Sequence, residues 1–297
     1  MQLRQSARKQ AKIKMALQGS SGSGKTYSSL LLAYGLTNGI FPKVAVIDTE
    51  NGSADLYAHL GNFNVVTLSP PFTPENYIEA IHLCEKSGME VVIIDSISHC
   101  WDELLDYHTN LAGNSFTNWA KVTPRHKAFV DKILQSNCHI IATMRTKQDY
   151  VLNQKDGKFI PEKVGLKAVQ KDGVDYEFTI VFDVDIKHYA TCSKDRTGLF
   201  MGKPDFVITS NTGKTILQWC NESSAGSHKD NNVDDEAISE QDVYTQIQMC
   251  NSMAELNSLF SQYPQYQENL KPDFISRKAF LMQLTNPKNL SLNGNTR

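Results

Sequence analysis

One octapeptide constrains this chain more than any other stretch. Gly19-Ser20-Ser21-Gly22-Ser23-Gly24-Lys25-Thr26 fits the pattern G-x-x-x-x-G-K-[ST] in full. The glycines let the backbone wind so that successive N–H groups point inward, and a helix leaving the loop adds the positive end of its dipole. The result is a cradle for a triphosphate, with Lys25 reaching the β- and γ-phosphates and Thr26 ligating Mg2+. The flanks agree. Residues 13–17 form an apolar run that reads as a buried strand feeding the loop, and residues 27–36, without proline and with glycine only at Gly35, read as the helix leaving it. Tyr27, next to the loop, is counted with the nucleotide-contacting residues.

Two further strands end in acids. Residues 43–48 (Lys-Val-Ala-Val-Ile-Asp) lead into Thr49-Glu50-Asn51-Gly52, which places Asp48 and Glu50 at the carboxyl end of a strand, where open α/β sheets bind ligands. One strand–helix–strand unit returns Glu50 beside the phosphates, where its carboxylate can deprotonate an attacking water. The other reading of this pair is a helix-capping Asp48 with a solvated Glu50. Residues 91–95 (Val-Val-Ile-Ile-Asp) are apolar up to Asp95, the form of a strand buried on both faces whose terminal acid holds Mg2+ through water, with Ser96 able to join that shell.

Elsewhere, residues 64–68 read as a short strand, and Thr73-Pro74 caps a helix ending near Ser87-Gly88. Residues 101–111 look helical, residues 113–121 read as a polar loop, and Thr123-Pro124 opens a helix running to about Ser136. Residues 138–143 form the next strand. At its tip, Arg145 or Lys147 either senses the γ-phosphate or belongs to a plain surface turn. Beyond it, Arg145, Lys147, Lys155, Lys158, Lys163, Lys167 and Lys171 are interleaved with Tyr150, Phe159, Tyr176 and Phe178. Cations that track phosphates, with rings as stacking platforms, suit single-stranded nucleic acid. Acidic residues are mixed in, so a solvated β-hairpin is the competing reading. Residues 177–185 and 187–192 read as paired strands leading into the tight turn Ser193-Lys194-Asp195-Arg196-Thr197-Gly198, whose two cations could contact a phosphate of a neighbouring subunit.

A chain of 297 residues can bury a sizeable core, and a formal net charge of −2 announces no global affinity for nucleic acid. The basic residues Arg4, Arg8, Lys9, Lys12 and Lys14 precede the first acid, Asp48, and read as an arm that either binds DNA or is solvated. Six scattered cysteines without a C-x-x-C pair imply reduced thiols and no structural zinc, and no apolar run is long enough for a membrane span. The expected organisation is an α/β core with basic arm over 1–220, a flexible acidic linker over 221–241, a small helical module of two or three helices over 242–285, and a disordered tail over 286–297.

The loop, Ile47-Asp48-Thr49-Glu50 and Val91 to Ser96 together resemble the RecA-type ATPase core, and more closely the phage and prophage RecA-like AAA ATPases. Gly-Leu-Lys-Ala-Val-Gln-Lys-Asp-Gly at 165–173 and Ser-Lys-Asp-Arg-Thr-Gly-Leu-Phe at 193–200 carry the same resemblance. It implies a mainly parallel sheet and an ATPase using ATP and Mg2+, with Glu50 activating water and Lys194 and Arg196 acting across a subunit interface. It also implies oligomerisation as a ring or filament, single-stranded DNA as partner through residues 149–176, and annealing or recombination in a bacterial cytoplasm. A single-strand-binding protein or a helicase is a further expected partner, and a helicase loader or adaptor working through the helical module is the alternative function. Met144 departs from the family, because methionine cannot hydrogen-bond a γ-phosphate. Thr143 or Arg145 would then have to substitute.

Overall fold

Val91 to Ile94 offers no polar side chain to water, so such a strand is stable only where both faces of its sheet are covered. The computed structural model, which describes residues 12–155, 158–222, 240–250 and 253–284, places it there. The chain divides into two units, Met1–Gly226 and Ser227–Arg297. In chain order the first contains β1 (Lys14–Gly19), α1 (Lys25–Leu36), β2 (Val44–Asp48), β3 (Asn64–Thr67), α2 (Pro74–Lys86), β4 (Val91–Asp95), α3 (Ser98–Asn110), α4 (Ser115–Gln135), β5 (His139–Lys155), β6 (Lys158–Ala168), β7 (Ile180–Val184), β8 (Tyr189–Asp195), β9 (Phe206–Val207) and α5 (Ser210–Asn221).

The sheet order is β3-β2-β4-β5-β1-β7-β8-β9. The strands from β3 to β7 are parallel, and β8 and β9 add antiparallel edges. This is the α/β core of a P-loop nucleoside triphosphatase. In it β5 separates the loop strand β1 from the acid strand β4, so side chains at the end of β5 face both. Helices cover both faces. Leu30, Leu32 and Leu36 of α1 and Ile216 of α5 pack with Met15, Val46 and Ile93 on one side. Tyr77 and Ile81 of α2 and Phe129 and Ile133 of α4 pack with Ile47, Ile94 and Ile140 on the other.

The second unit comprises α6 (Glu240–Met249), α7 (Met253–Gln262) and α8 (Lys271–Leu284), which share a core of Val243, Ile247, Leu256, Leu259, Phe274 and Leu281. Among the described residues no helix is long and apolar enough to cross a membrane. Among the described residues no disulfide joins any of the six cysteines.

The sequence reading needs several corrections. Residues 113–121 are not a polar loop, because α4 starts at Ser115 and carries Pro124 inside it. Asn114 caps that helix by accepting from Phe116 N at 2.8 Å, and Trp119 stacks on His108 (4.2 Å) and Trp101 (6.1 Å), so tertiary packing outweighs the break that proline signals. The strand expected to end near Thr143 continues to Lys155 and turns back as β6, so this segment has the backbone of a β-hairpin. Lys14 is no part of a basic arm. It lies in β1, 5% exposed, with Nζ donating to the carbonyls of Ser136 (2.7 Å) and Cys138, and burial lowers its pKa to about 8. The expected linker loses its ends, since Asn221 closes α5 and Glu240 opens α6. The rest of the linker, Arg4, Arg8, Lys9 and the tail over 286–297 lie outside the described residues.

Helices α1 and α5 meet where neither has a side chain. A Cβ on Gly35 would lie 2.0 Å from the Ser210 carbonyl oxygen, and one on Gly213 would lie 2.3 Å from that of Leu32. Because both obstacles are backbone, neither can rotate away. Gly35→Ala is therefore expected to destabilise the core by about 1–3 kcal/mol despite alanine's better helix propensity. Denaturant unfolding of the two proteins checks this, with the variant's midpoint falling.

Candidate nucleotide-binding site

The site assembles at the carboxyl ends of the parallel strands. After Gly19 closes β1, the chain turns through Gly22 and Gly24 at φ +80° and +88°, angles costly for any residue with a Cβ, and enters α1 at Lys25. Lys25 Nζ donates to the carbonyls of Gly19 (2.9 Å) and Ser20 (2.8 Å), spanning the loop that it belongs to. Burial lowers the pKa of this ammonium from its ordinary value, and the nearby carboxylates of Asp95 and Glu50 act in the opposite direction. Ser23 Oγ is buried with no hydrogen-bond partner among the described residues.

Asp95 sits at the tip of β4, 3% exposed. Its Oδ2 accepts from Thr26 Oγ1 at 2.6 Å and its Oδ1 from Thr143 Oγ1 at 2.5 Å. Burial pushes the carboxyl's pKa up, and the two hydroxyls oppose that shift. The following turn is fixed from β2 and α2. Thr49 Oγ1 accepts from Ser96 N at 2.9 Å and lies 2.7 Å from His99 Nδ1, while Tyr77 OH donates to the Ser96 carbonyl at 2.8 Å. Ser96 Oγ is also buried without a partner among the described residues.

Asp48 and Glu50 divide their work. Asp48 accepts from the backbone N–H of Glu50 (2.6 Å) and Ala54 (2.9 Å), so it caps the turn that carries Glu50. Glu50 is not merely solvated. Its two carboxylate oxygens accept from Arg145 Nε (3.0 Å) and an Arg145 terminal nitrogen (2.7 Å), and this bidentate bond raises the pKa of the guanidinium further. Alternation along β5 explains the choice of residue. Thr143 and Arg145 face the site, whereas Met144 points into the hydrophobic layer, fully buried. Methionine at that position is thus a core residue, and the polar contacts come from its two neighbours.

The other expected site residues are dispersed. Tyr27 lies against Tyr57, with ring centroids 5.8 Å apart, and burial raises its hydroxyl pKa. Lys147 and Lys167 face each other across the base of the β5–β6 hairpin, and Lys155 and Lys158 across its far end, while Lys163 is opposite Tyr150. Lys167 also pairs with Asp172 at 2.8 Å. Arg145 is held on Glu50, on the nucleotide side of this group. Lys194 and Arg196 are level with Val181 and Thr179, toward the amino-terminal end of β7 and away from their own chain's loop. Both donate to the Tyr176 carbonyl. Sequence reasoning missed Thr49 as the clasp on Ser96, although it stands between the two acids already singled out.

These groups suit a Mg2+-bound triphosphate. Two buried hydroxyls without partners, an ammonium resting on its own loop, and a hydroxyl–carboxylate pair joining α1 to β4 are donors and ligands matched to phosphate oxygens and a hard cation. Fold and site define the class as a P-loop ATPase of the AAA type. A family model for an AAA domain matches residues 11–223, and the chain belongs to that family. A comparison with curated proteins gives no match.

The raised pKa of Asp95 has a direct consequence for stability. The folded state holds this proton more tightly than the unfolded chain, so ionisation costs stability above the ordinary carboxylate pKa of about 4, and the cost vanishes below it. Asp95→Asn is expected to raise the thermal midpoint of the ligand-free protein at pH 7, with the gain shrinking as the pH is lowered to about 4. Melting curves across this range check it.

Proposed function

We propose that this protein is a Mg2+-dependent ATPase that binds single-stranded DNA and promotes annealing or recombination as an oligomer. In this reading the loop residues Gly19 to Thr26 bind the phosphates and Lys25 bridges the β- and γ-phosphoryl groups. Thr26 and Asp95 hold the Mg2+, which supplies charge neutralisation at the reacting phosphates when bound. Glu50 is the general base. In its pair with Arg145 the carboxylate is held in place, and a γ-phosphate competes for the same guanidinium. Transfer of Arg145 to the phosphate frees Glu50 to take a proton from water. Lys194 and Arg196, remote from their own loop, are assigned to the site of the next protomer.

The observation that carries the DNA assignment is the continuity of β5. The strand that presents Thr143 to Asp95 and Arg145 to Glu50 runs on, without a break, into the lysine-bearing hairpin. A change in the contacts of Arg145 is thereby a change at the hairpin's base. Phosphate contacts there would release counterions, so binding should weaken with salt.

A second reading, a loader or adaptor for a helicase or a single-strand-binding protein, is favoured by the separate core of the helical unit. Truncation after Asn221 separates the two, because an adaptor loses its activity and an annealing ATPase keeps its DNA binding.

The decisive assay is ATP turnover with and without single-stranded DNA at two salt concentrations. Turnover is expected to rise with DNA and to lose that stimulation at high salt. Glu50→Gln should retain nucleotide binding and lose about 10²–10⁴-fold in turnover. Unchanged turnover in Lys25→Ala would overturn the assignment of the site.

A further inference from the structure

The phosphate loop has a second support, on the side away from Asp95. The turn between β7 and β8, residues 185–188, folds back over it. Asp185 organises this turn, its Oδ1 accepting from Lys187 N (2.8 Å) and Tyr189 N (2.9 Å) and its carbonyl from His188 N (3.0 Å). Three contacts then reach the loop. The backbone of Gly19 runs against the Val184 carbonyl, so closely that a Cβ there would lie 2.3 Å from it. Ile186 lies over Gly22, its Cδ1 3.6 Å from where a Cβ would stand. His188 Nδ1 is 2.9 Å from the Ser23 carbonyl oxygen.

The last contact is polar and fixes a proton. A carbonyl oxygen only accepts, so Nδ1 carries the hydrogen and donates it. It also fixes a peptide plane. The Ser23 carbonyl and the Gly24 N–H belong to one planar unit and point in opposite directions. Holding the carbonyl outward, against His188, keeps the Gly24 N–H aimed into the cradle where phosphate oxygens bind. Access to the outer side of Gly24 is also limited by His188, whose Nδ1 is 3.0 Å from a Cβ built there.

His188 does this from a costly backbone conformation. Its φ is +69°, in the left-handed region that non-glycine residues rarely occupy, and the side chain is exposed, so no core packing calls for an imidazole at this position. Glycine would relieve the backbone, and the contact that it would forfeit is the one to Ser23.

We infer that His188 is a positioning residue for nucleotide binding, which pre-organises the Ser23–Gly24 peptide of the phosphate loop from the β7–β8 turn. This rests on the reading of the loop as an ATP site. It acts through the loop, so it should govern nucleotide affinity and leave the chemical step alone.

The test is titration of the purified full chain with a fluorescent ATP analogue and Mg2+, together with melting curves without nucleotide. For His188→Gly, affinity is expected to fall about threefold to tenfold, the scale of one lost hydrogen bond, while the ligand-free midpoint holds or rises and kcat at saturating ATP stays within about twofold. His188→Asn, which tolerates the left-handed conformation and keeps an N–H donor, should recover part of the affinity. Unchanged affinity in His188→Gly, or a fall in affinity accompanied by a lower midpoint, overturns the proposal. Lys25→Ala serves as the separate control. If it binds the analogue as well as the unaltered protein, the ATP reading itself fails; if it loses binding while His188→Gly does not, only the role of His188 fails.

Discussion

A single carboxylate, almost wholly withdrawn from water, is the point on which this structure turns. An ionised group with so little solvent is tolerated only if hydrogen bonds replace the water that it has lost, and Asp95 takes them from α1 through Thr26 and from β5 through Thr143. These two elements are not sequence neighbours of β4. They are brought to it because β5 lies next to β4 and β1 next to β5, so the strand order sets both Thr143 and the loop helix beside the acid. Thr49 closes the arrangement from β2 by clasping the amide after Asp95. Four elements therefore meet at one tip, and displacing any of them disturbs the same acid.

The parts of this site that were readable in the sequence share one property: their chemistry is local. The loop needs glycines and a lysine at fixed spacing, and a strand buried on both faces needs an unbroken apolar run, so Gly19 to Thr26, Val44–Asp48 and Val91–Asp95 could be placed from a few residues each. What could not be read depends on partners distant in the chain. Whether Glu50 was solvated or engaged turned on Arg145, ninety-five positions away, and whether Met144 was a defect in the site or a core residue turned on which face of β5 it occupied. Residues 113–121 look like a loop because their apolar rings are spaced among polar residues. From Ser115 on they are helical, with Trp119 packed on Trp101 and His108 of α3. Lys14 misled for a related reason, since a lysine beginning a strand gives no local sign that two backbone carbonyls beyond Gln135 will receive it.

Backbone proximity was similarly silent. Gly35 interrupts a good helix and carries no visible purpose until Gly213 is opposite it, and strands β2 to β9 lie between the two in sequence. His188 belongs to the same category. Nothing in Asp-Ile-Lys-His marks a brace for a phosphate loop 165 positions earlier, because the relation exists only once β7 has paired with β1.

The same topology gives the hairpin two roots in the site. On its entering strand, Arg145 binds Glu50 by its side chain, and its backbone N–H donates to Ser98 Oγ at 2.9 Å. On its leaving side, Val169 N donates to the Arg145 carbonyl at 2.7 Å, and Gln170, 6% exposed, donates through Nε2 to the Ile97 carbonyl at 3.1 Å while its Oε1 lies 3.0 Å from His126 Nε2. Burial lowers the pKa of that histidine, which favours the neutral ring, and the amide oxygen requires Nε2 to carry the hydrogen. Ile97 lies two residues beyond Asp95. The entering strand is thus tied to Glu50, just beyond β2, and the leaving side to the turn just beyond Asp95 of β4. With both its sides bonded beside the acid-bearing tips of β2 and β4, a displacement of either tip is also a displacement of the hairpin's base.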